Sequence, residues 1–151
     1  ITDRAKECLK TGGLIPTEDF ISIVLPHLSS TEFANRPLFL SSFGRWHGEE
    51  ASVISALEKS NHPLKAVVYL DISNADSMER WQNRLFSNDR NDRADDTVEI
   101  LQTRFKEFDE KTMPVIDFYR PKNLLIEIDG TKSREQVEQN IVQKLYEKST
   151  N

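Results

Sequence analysis

Three short apolar runs do most to limit the folds open to this chain: "PLFLSS" at 37–42, "KAVVYLDIS" at 65–73 and "NLLIEID" at 123–129. Each has the length of a strand; the second is β-branched, apolar and closed by an aspartate. Between them lie helix-length stretches whose apolar residues recur every three or four positions. Strands that are apolar throughout and joined by helical crossovers pair in parallel, with helices over both faces of the sheet. The expected class is therefore α/β, with one domain over residues 1–151. Such sheets hold ligands at the carboxyl ends of their strands.

The helices can be placed by their punctuation. Residues 1–11 form a helix stopped by Gly12-Gly13, which accept left-handed dihedrals. Thr17 is placed to cap a second helix, with Phe20, Ile23 and Val24 at helical spacing and Pro26 expected to end or kink it. "GEEASVISALEK" puts Val53, Ile54 and Leu57 on one face, and a helix over 75–86 turns Met78, Trp81 and Leu85 inward. A long helix is expected over 95–120, with a stripe of Val98, Leu101, Phe105 and Phe108 and a kink at Pro114. Residues 133–148 form a last amphipathic helix.

Composition closes off several functions. No apolar run approaches the roughly 20 residues of a membrane helix, and no signal-peptide pattern opens the sequence. One cysteine, Cys8, excludes an internal disulfide and fits a reducing compartment, so a cytoplasmic location is expected. A net charge of −5 argues against general nucleic-acid binding, which normally needs a basic footprint. Arginines gathered in such an acidic chain would therefore be informative.

"DRNDRADD", residues 89–96, packs four aspartates and two arginines between two helical segments. Arg80 and Arg84 lie one helical turn apart upstream, Arg104 sits on the long helix, and Arg45 follows a strand's carboxyl end. Charge spacing alone favours surface pairing, of Arg80 and Arg84 with Glu79 or Asp76 and of Arg93 with Asp95 or Asp96. Exposed pairs of that kind contribute about 0–1 kcal/mol and imply no function. The alternative is a shared site, because guanidinium forks bind phosphate oxygens bidentately and stay charged when partly desolvated.

The stretch "RWQNRLFSNDRNDRADDTVEILQTRFKEFDEKTMPVIDFY" resembles the adenylate kinase family of nucleoside monophosphate kinases. The matching positions are Arg80 and Arg84, then Arg93-Ala94-Asp95-Asp96, then Arg104, then Thr112, Pro114, Ile116 and Tyr119. "IEIDGTKSREQV" is similar to the family's last strand, turn and final helix, and "GGLIPTEDF" to the rim of its monophosphate pocket. The resemblance implies a P-loop-kinase-like three-layer α/β/α fold, with residues 1–30 in the monophosphate-binding region and 87–94 as a short, metal-free lid. It implies phosphoryl transfer from ATP, carried with Mg²⁺, to a nucleoside monophosphate, by positioning and charge neutralisation. Arg84, Arg93 and Arg104 would grip the phosphates in transfer, and Arg45 the acceptor's phosphate. Arg80 would stack on the donor base and the Lys132 backbone would contact it, while the Ile15 backbone would contact the acceptor base. Asp95 and Asp96 would orient lid arginines.

Two departures from the family pattern stand out. None of the five glycines forms a Gly-x-x-x-x-Gly-Lys-[Ser/Thr] loop. In the family that loop follows a strand lying between those matching "PLFLSS" and "AVVYLD", so the central strand is absent from this sequence. The expectation is that an upstream segment or a partner supplies it, and that the isolated polypeptide is inactive and unstable. Second, the family's Asp-Gly-Phe-Pro-Arg becomes Ser41-Ser42-Phe43-Gly44-Arg45, which puts Ser41 where an aspartate helps hold the Mg²⁺ hydration shell. The glutamine that contacts the acceptor base aligns with Glu49, or with Glu50 under a shifted gap. Because a carboxylate only accepts hydrogen bonds, a guanine-type or other non-adenine acceptor is one expectation. Trp46 and His47 have no family counterpart; His47 is expected to be an ordinary polar pocket residue. The rival to an enzyme is a catalytically degenerate kinase-like module that binds nucleotides or proteins.

Overall fold

In the computed structural model of the chain, residues 3–34, 36–86 and 97–150 are described. The chain divides into two compact units, Ile1–Lys65 with Ala94–Asp117, and Ala66–Arg93 with Phe118–Asn151.

The first unit opens with α1 (Asp3–Thr11), which ends where Gly12 takes φ +80°. A Cβ on Gly12 would fall 2.8 Å from Ile100 Cγ2 and 3.1 Å from the Ile100 carbonyl oxygen. Glycine is thus required both to reverse the chain and to let it approach the helix carrying Ile100. Helix α2 (Thr17–Leu28) runs through Pro26 and stops two residues later, so the proline does not end it at its own position. Pro26 lies in the last turn, where its missing N–H removes one bond without interrupting a continuing ladder. Ile23 is half-buried, while the side chains of Phe20 and Val24 lie outside the described atoms. Helix α3 (Glu50–Lys59) buries Val53, Ala56 and Leu57. Val53 and Leu57 form a core with Leu28, against which Leu38, Phe43 and Leu64 pack.

"PLFLSS" is not a strand. Residues 37–40 are irregular, Ser41-Ser42 form a turn, and Phe39 is 81% exposed. An isolated segment gains nothing from an extended ladder it cannot pair, and no strand among the described residues pairs with it. Leu38 and Phe43 instead anchor its two ends to the helical core.

The long helix expected over 95–120 is three pieces within the described residues. Thr97 caps α5 (Val98–Glu107), its hydroxyl accepting from the Ile100 N–H. A π-helical turn covers Phe108–Thr112, with the Met113 N–H bonded to the Phe108 carbonyl, and α6 (Met113–Tyr119) follows. Pro114 lies just beyond that turn: it has no N–H for the Glu110 carbonyl and its ring needs space there, which the wider turn provides. The stripe on α5 is only half-buried, and Val98 is exposed.

The second unit holds the sheet. Strands β1 (Val67–Asp71) and β2 (Leu125–Asp129) pair in parallel with Val67 opposite Leu125 and Asp71 opposite Asp129. Ile126 and Ile128 are buried. Helix α4 (Asn74–Phe86) follows β1, with Met78 and Trp81 half-buried as expected and the Leu85 side chain outside the described atoms. Helix α7 (Arg134–Thr150) follows β2; none of its residues is buried. Among the described residues β1 pairs on one side only, and Leu70 is 45% exposed.

Candidate functional site

In the first unit the loop after "PLFLSS" carries Arg45, Trp46 and Glu49. Ser42, Gly44 and Gly48 all have positive φ, which coils the loop tightly. Gly44 lies so close to α3 that a Cβ would stand 3.0 Å from Val53 Cγ1. This pins the loop to the core beside Arg45.

Three contacts then fix the loop's far side. The Thr112 hydroxyl, set by the π-helical turn, donates to the Arg45 carbonyl at 3.3 Å. Trp46 Nε1 donates to the Ile15 carbonyl at 3.1 Å. The Lys111 ammonium stands 4.1 Å from the centre of the Trp46 ring, a cation–π distance. Lys111 also donates to both oxygens of Glu107, at 2.7 and 2.6 Å, and Glu107 accepts the Leu14 N–H at 3.2 Å. Glu107 is thus a hub between α5 and the 13–15 segment. Burial pushes its pKa up, but the bonds from Lys111 and Leu14 and the charges of Lys111 and Lys106 win, leaving it below the ordinary value.

The half-buried Arg45 guanidinium has no ion-pair partner among the described residues. Desolvation lowers its pKa, with the nearby Glu107 charge acting the other way. A partly desolvated cation that only a neighbouring charge offsets costs free energy, which an anionic ligand would recover.

The two adjacent glutamates differ. Glu50, 5% exposed, accepts from the Gly48 N–H at 2.9 Å and pairs with His47 Nδ1 at 3.0 Å. Glu49 precedes α3 without capping it, and its Oε2 is enclosed with no hydrogen-bond partner among the described residues. Arg104 is half-buried on α5, with its Cγ 3.4 Å from the position a Gly12 Cβ would take.

In the second unit the carboxyl ends of the two strands are tied together by main-chain and side-chain bonds. The Gly130 N–H donates to the Asp71 carbonyl at 2.8 Å, and a Cβ on Gly130 would lie 2.9 Å from that same oxygen. Asp129 Oδ1 accepts from the Thr131 N–H at 2.9 Å and from its hydroxyl at 2.6 Å; these bonds chiefly hold its pKa below the ordinary value. Arg80 reaches the Gly130 carbonyl with Nη2 at 2.7 Å. A cavity of about 370 Å³ opens there, lined by Leu70, Ile72, Arg80, Lys132, Arg134 and Ile141 among others.

The expected site residues thus fall into three groups. Ile15, Arg45, Glu49 and Arg104 lie in the first unit, where Trp46 joins Ile15 to the Arg45 loop. Arg80 and Lys132 share the cavity of the second unit. Arg84 lies on α4 with its side chain outside the described atoms, and the proposed lid 87–94, with Arg93, Asp95 and Asp96, lies outside the described residues. Sequence reasoning did not find Trp46, Glu107 and Lys111 as a linked set. The i,i+4 spacing of Glu107 and Lys111 was the available signal.

A parallel strand pair with an arginine-lined cavity at its carboxyl end is the arrangement in which α/β sheets hold ligands, and it is consistent with a P-loop-kinase-like α/β fold. No family model matches the chain. It is 30% identical over 139 residues to an adenylate kinase of Xylella fastidiosa, spanning 92% of this chain and 72% of that protein. It is also 30% identical over 142 residues to one of Leptospira biflexa, spanning 93% and 74%, and 29% identical over 147 residues to one of Nitrobacter hamburgensis, spanning 95% and 70%. The chain belongs to the adenylate kinase family. It is accordingly a kinase of the nucleotide phosphoryl-transfer class.

Proposed function

We propose that the chain provides most of a nucleoside monophosphate kinase, which moves the γ-phosphoryl of ATP onto a phosphate oxygen of a nucleoside monophosphate, giving ADP and a nucleoside diphosphate. The half-buried Arg45 guanidinium, without a direct ion pair among the described residues, is the observation that carries this reading. It holds the acceptor's phosphate, and Arg84, Arg93 and Arg104 offset charge on the group in transfer. Residues 1–30 form the monophosphate-binding region; Ile15 and Glu49 face the acceptor base. Arg80 and the Lys132 backbone hold the donor base in the cavity beyond β1 and β2, and residues 87–94 form the lid that Asp95 and Asp96 orient.

Mg²⁺ arrives as part of the donor, bound to the triphosphate. The described residues contain no cluster of three carboxylate, histidine or cysteine side chains suited to a metal, and Ser41 is a poor partner for a hard dication. The triphosphate cradle requires a glycine-rich loop that is not in this sequence, and the edge of β1 left unpaired among the described residues suits the strand leading into it. The 151-residue polypeptide alone is therefore inactive. Ser41 and the absent loop favour one alternative, a catalytically degenerate module that binds nucleotides or proteins.

ADP formation from ATP across a panel of nucleoside monophosphates, measured on the full-length protein, separates the two. Product with at least one acceptor is expected. Binding of a monophosphate with no turnover would leave the degenerate module in its place.

A further inference from the structure

Glu49 and Trp46 both depart from the family pattern, and the loop that carries them turns back on itself, the Glu49 N–H donating to the Trp46 carbonyl at 3.4 Å. Glu50 has both its oxygens engaged, by His47 and by the Gly48 N–H. Glu49 is different: its Oε2 is shut away from solvent and lacks a donor among the described residues. A buried acceptor left unmade is costly, so a group of this kind calls for an N–H from outside. The Ile15 carbonyl is already receiving the Trp46 indole N–H at 3.1 Å, which takes up one of its two acceptor directions.

The two purines present different edges to such a pair. Adenine offers an amino donor beside a ring nitrogen that only accepts. Guanine offers a ring N–H beside an amino group, two donors side by side that match the two oxygens of a carboxylate. We propose that Glu49 and Trp46 set the acceptor specificity of this kinase toward a guanine-type nucleoside monophosphate. Glu49 accepts both donors of the guanine edge. Trp46, by engaging the Ile15 carbonyl, weakens the acceptor that adenine's amino group would use. Glu50 has no part in base contact and serves to hold the loop. The inference rests on the phosphotransferase reading of the same site.

The test is a pair of measurements on the full-length protein: GMP and AMP affinity by calorimetry, and kcat/KM for each with ATP. GMP should be preferred by about tenfold or more, since a site built to hydrogen-bond one edge discriminates against its mismatch. Glu49→Gln, which keeps the shape and adds a donor for adenine's ring nitrogen, should shift the GMP/AMP ratio at least about tenfold toward AMP. Trp46→Phe, which keeps the ring and removes the N–H, should tighten AMP. Equal or better use of AMP by the wild type overturns the specificity inference while leaving the kinase reading intact, as does a ratio unmoved by Glu49→Gln. Neither binding nor turnover with any monophosphate overturns both.

Discussion

The two units fix their candidate ligand groups by different means. In the first, Arg45 and Ile15 are held by side chains: Thr112 on the Arg45 carbonyl, Trp46 on the Ile15 carbonyl, and Lys111 between Trp46 and Glu107. In the second, the turn after β2 combines one main-chain bond, Gly130 on the Asp71 carbonyl, with the Asp129 carboxylate closing onto Thr131 and Arg80 on the Gly130 carbonyl. A side-chain network can be altered one residue at a time and so can be retuned for a new ligand. A turn closed within a few neighbouring residues leaves less to retune, and fails where a Cβ cannot fit at Gly130 or where the Asp129 carboxylate is lost. The side-chain departures expected from the family resemblance, at Ser41, Trp46, His47 and Glu49, lie in the first unit, while the Asp129-Gly130-Thr131-Lys132 turn matches it.

The largest effect is expected at Arg45. Arg45→Ala should lower kcat/KM of the full-length protein about 10²–10³-fold, or roughly 3–4 kcal/mol, the scale of losing one placed charge at a phosphoryl group. Because its charge has no ion-pair contact among the described residues and is only offset by the Glu107 charge, the same change should shift the urea midpoint little. A variant that lost stability and kept its turnover would mean that Arg45 is structural, and the contrast between the units would lose its functional side.

Next come the two glycines, one in each unit. Gly12→Ala meets both a left-handed backbone and the Ile100 side chain at 2.8 Å, so a loss of about 3 kcal/mol is expected. Gly130→Ala meets only the Asp71 carbonyl at 2.9 Å, without a positive φ, and should cost about 2 kcal/mol. Urea denaturation of the two variants checks the order. If Gly130→Ala proved neutral, the turn after β2 would be looser than its hydrogen bonds imply.

Glu107 tests the hub. Its carboxyl is held below the ordinary pKa of about 4.3, so its contribution is complete above that value and is lost as pH falls through the lower folded one. Glu107→Gln should cost about 1–2 kcal/mol near pH 7, by loss of the charge that Lys111 meets. The gap to the wild type should close as pH falls below the ordinary carboxylate range. A gap independent of pH would show that packing, rather than charge, holds the 13–15 segment.

Much of this was legible in the sequence. Helices α1, α3, α4 and α7 and both strands follow from apolar period and from glycine and aspartate punctuation, which are local signals. What failed depended on distant partners. "PLFLSS" has the composition of a strand, but Leu38 and Phe43 pack on helices and no strand pairs with the segment among the described residues. The contact between Trp46 and Ile15 spans 31 residues and leaves no periodic trace. The π-helical turn was visible only as a kink expected at Pro114, since one widened turn leaves the apolar spacing nearly unchanged.

The smallest effect is expected where residue type is most misleading. Tyr146 is a large aromatic on α7 yet 70% exposed, and neighbouring Val142 is exposed as well. Burial, not residue type, sets the cost of truncation, so Tyr146→Ser should change stability by less than about 0.5 kcal/mol in the 151-residue chain. The outcome in a full-length protein is more telling. If a further segment covers α7 as it pairs with the edge of β1 left unpaired among the described residues, the same substitution should there cost about 2 kcal/mol or more. Equal and negligible losses in both would mean that this face of the second unit is solvent-facing in the complete enzyme, and that covering segments bear on β1 alone.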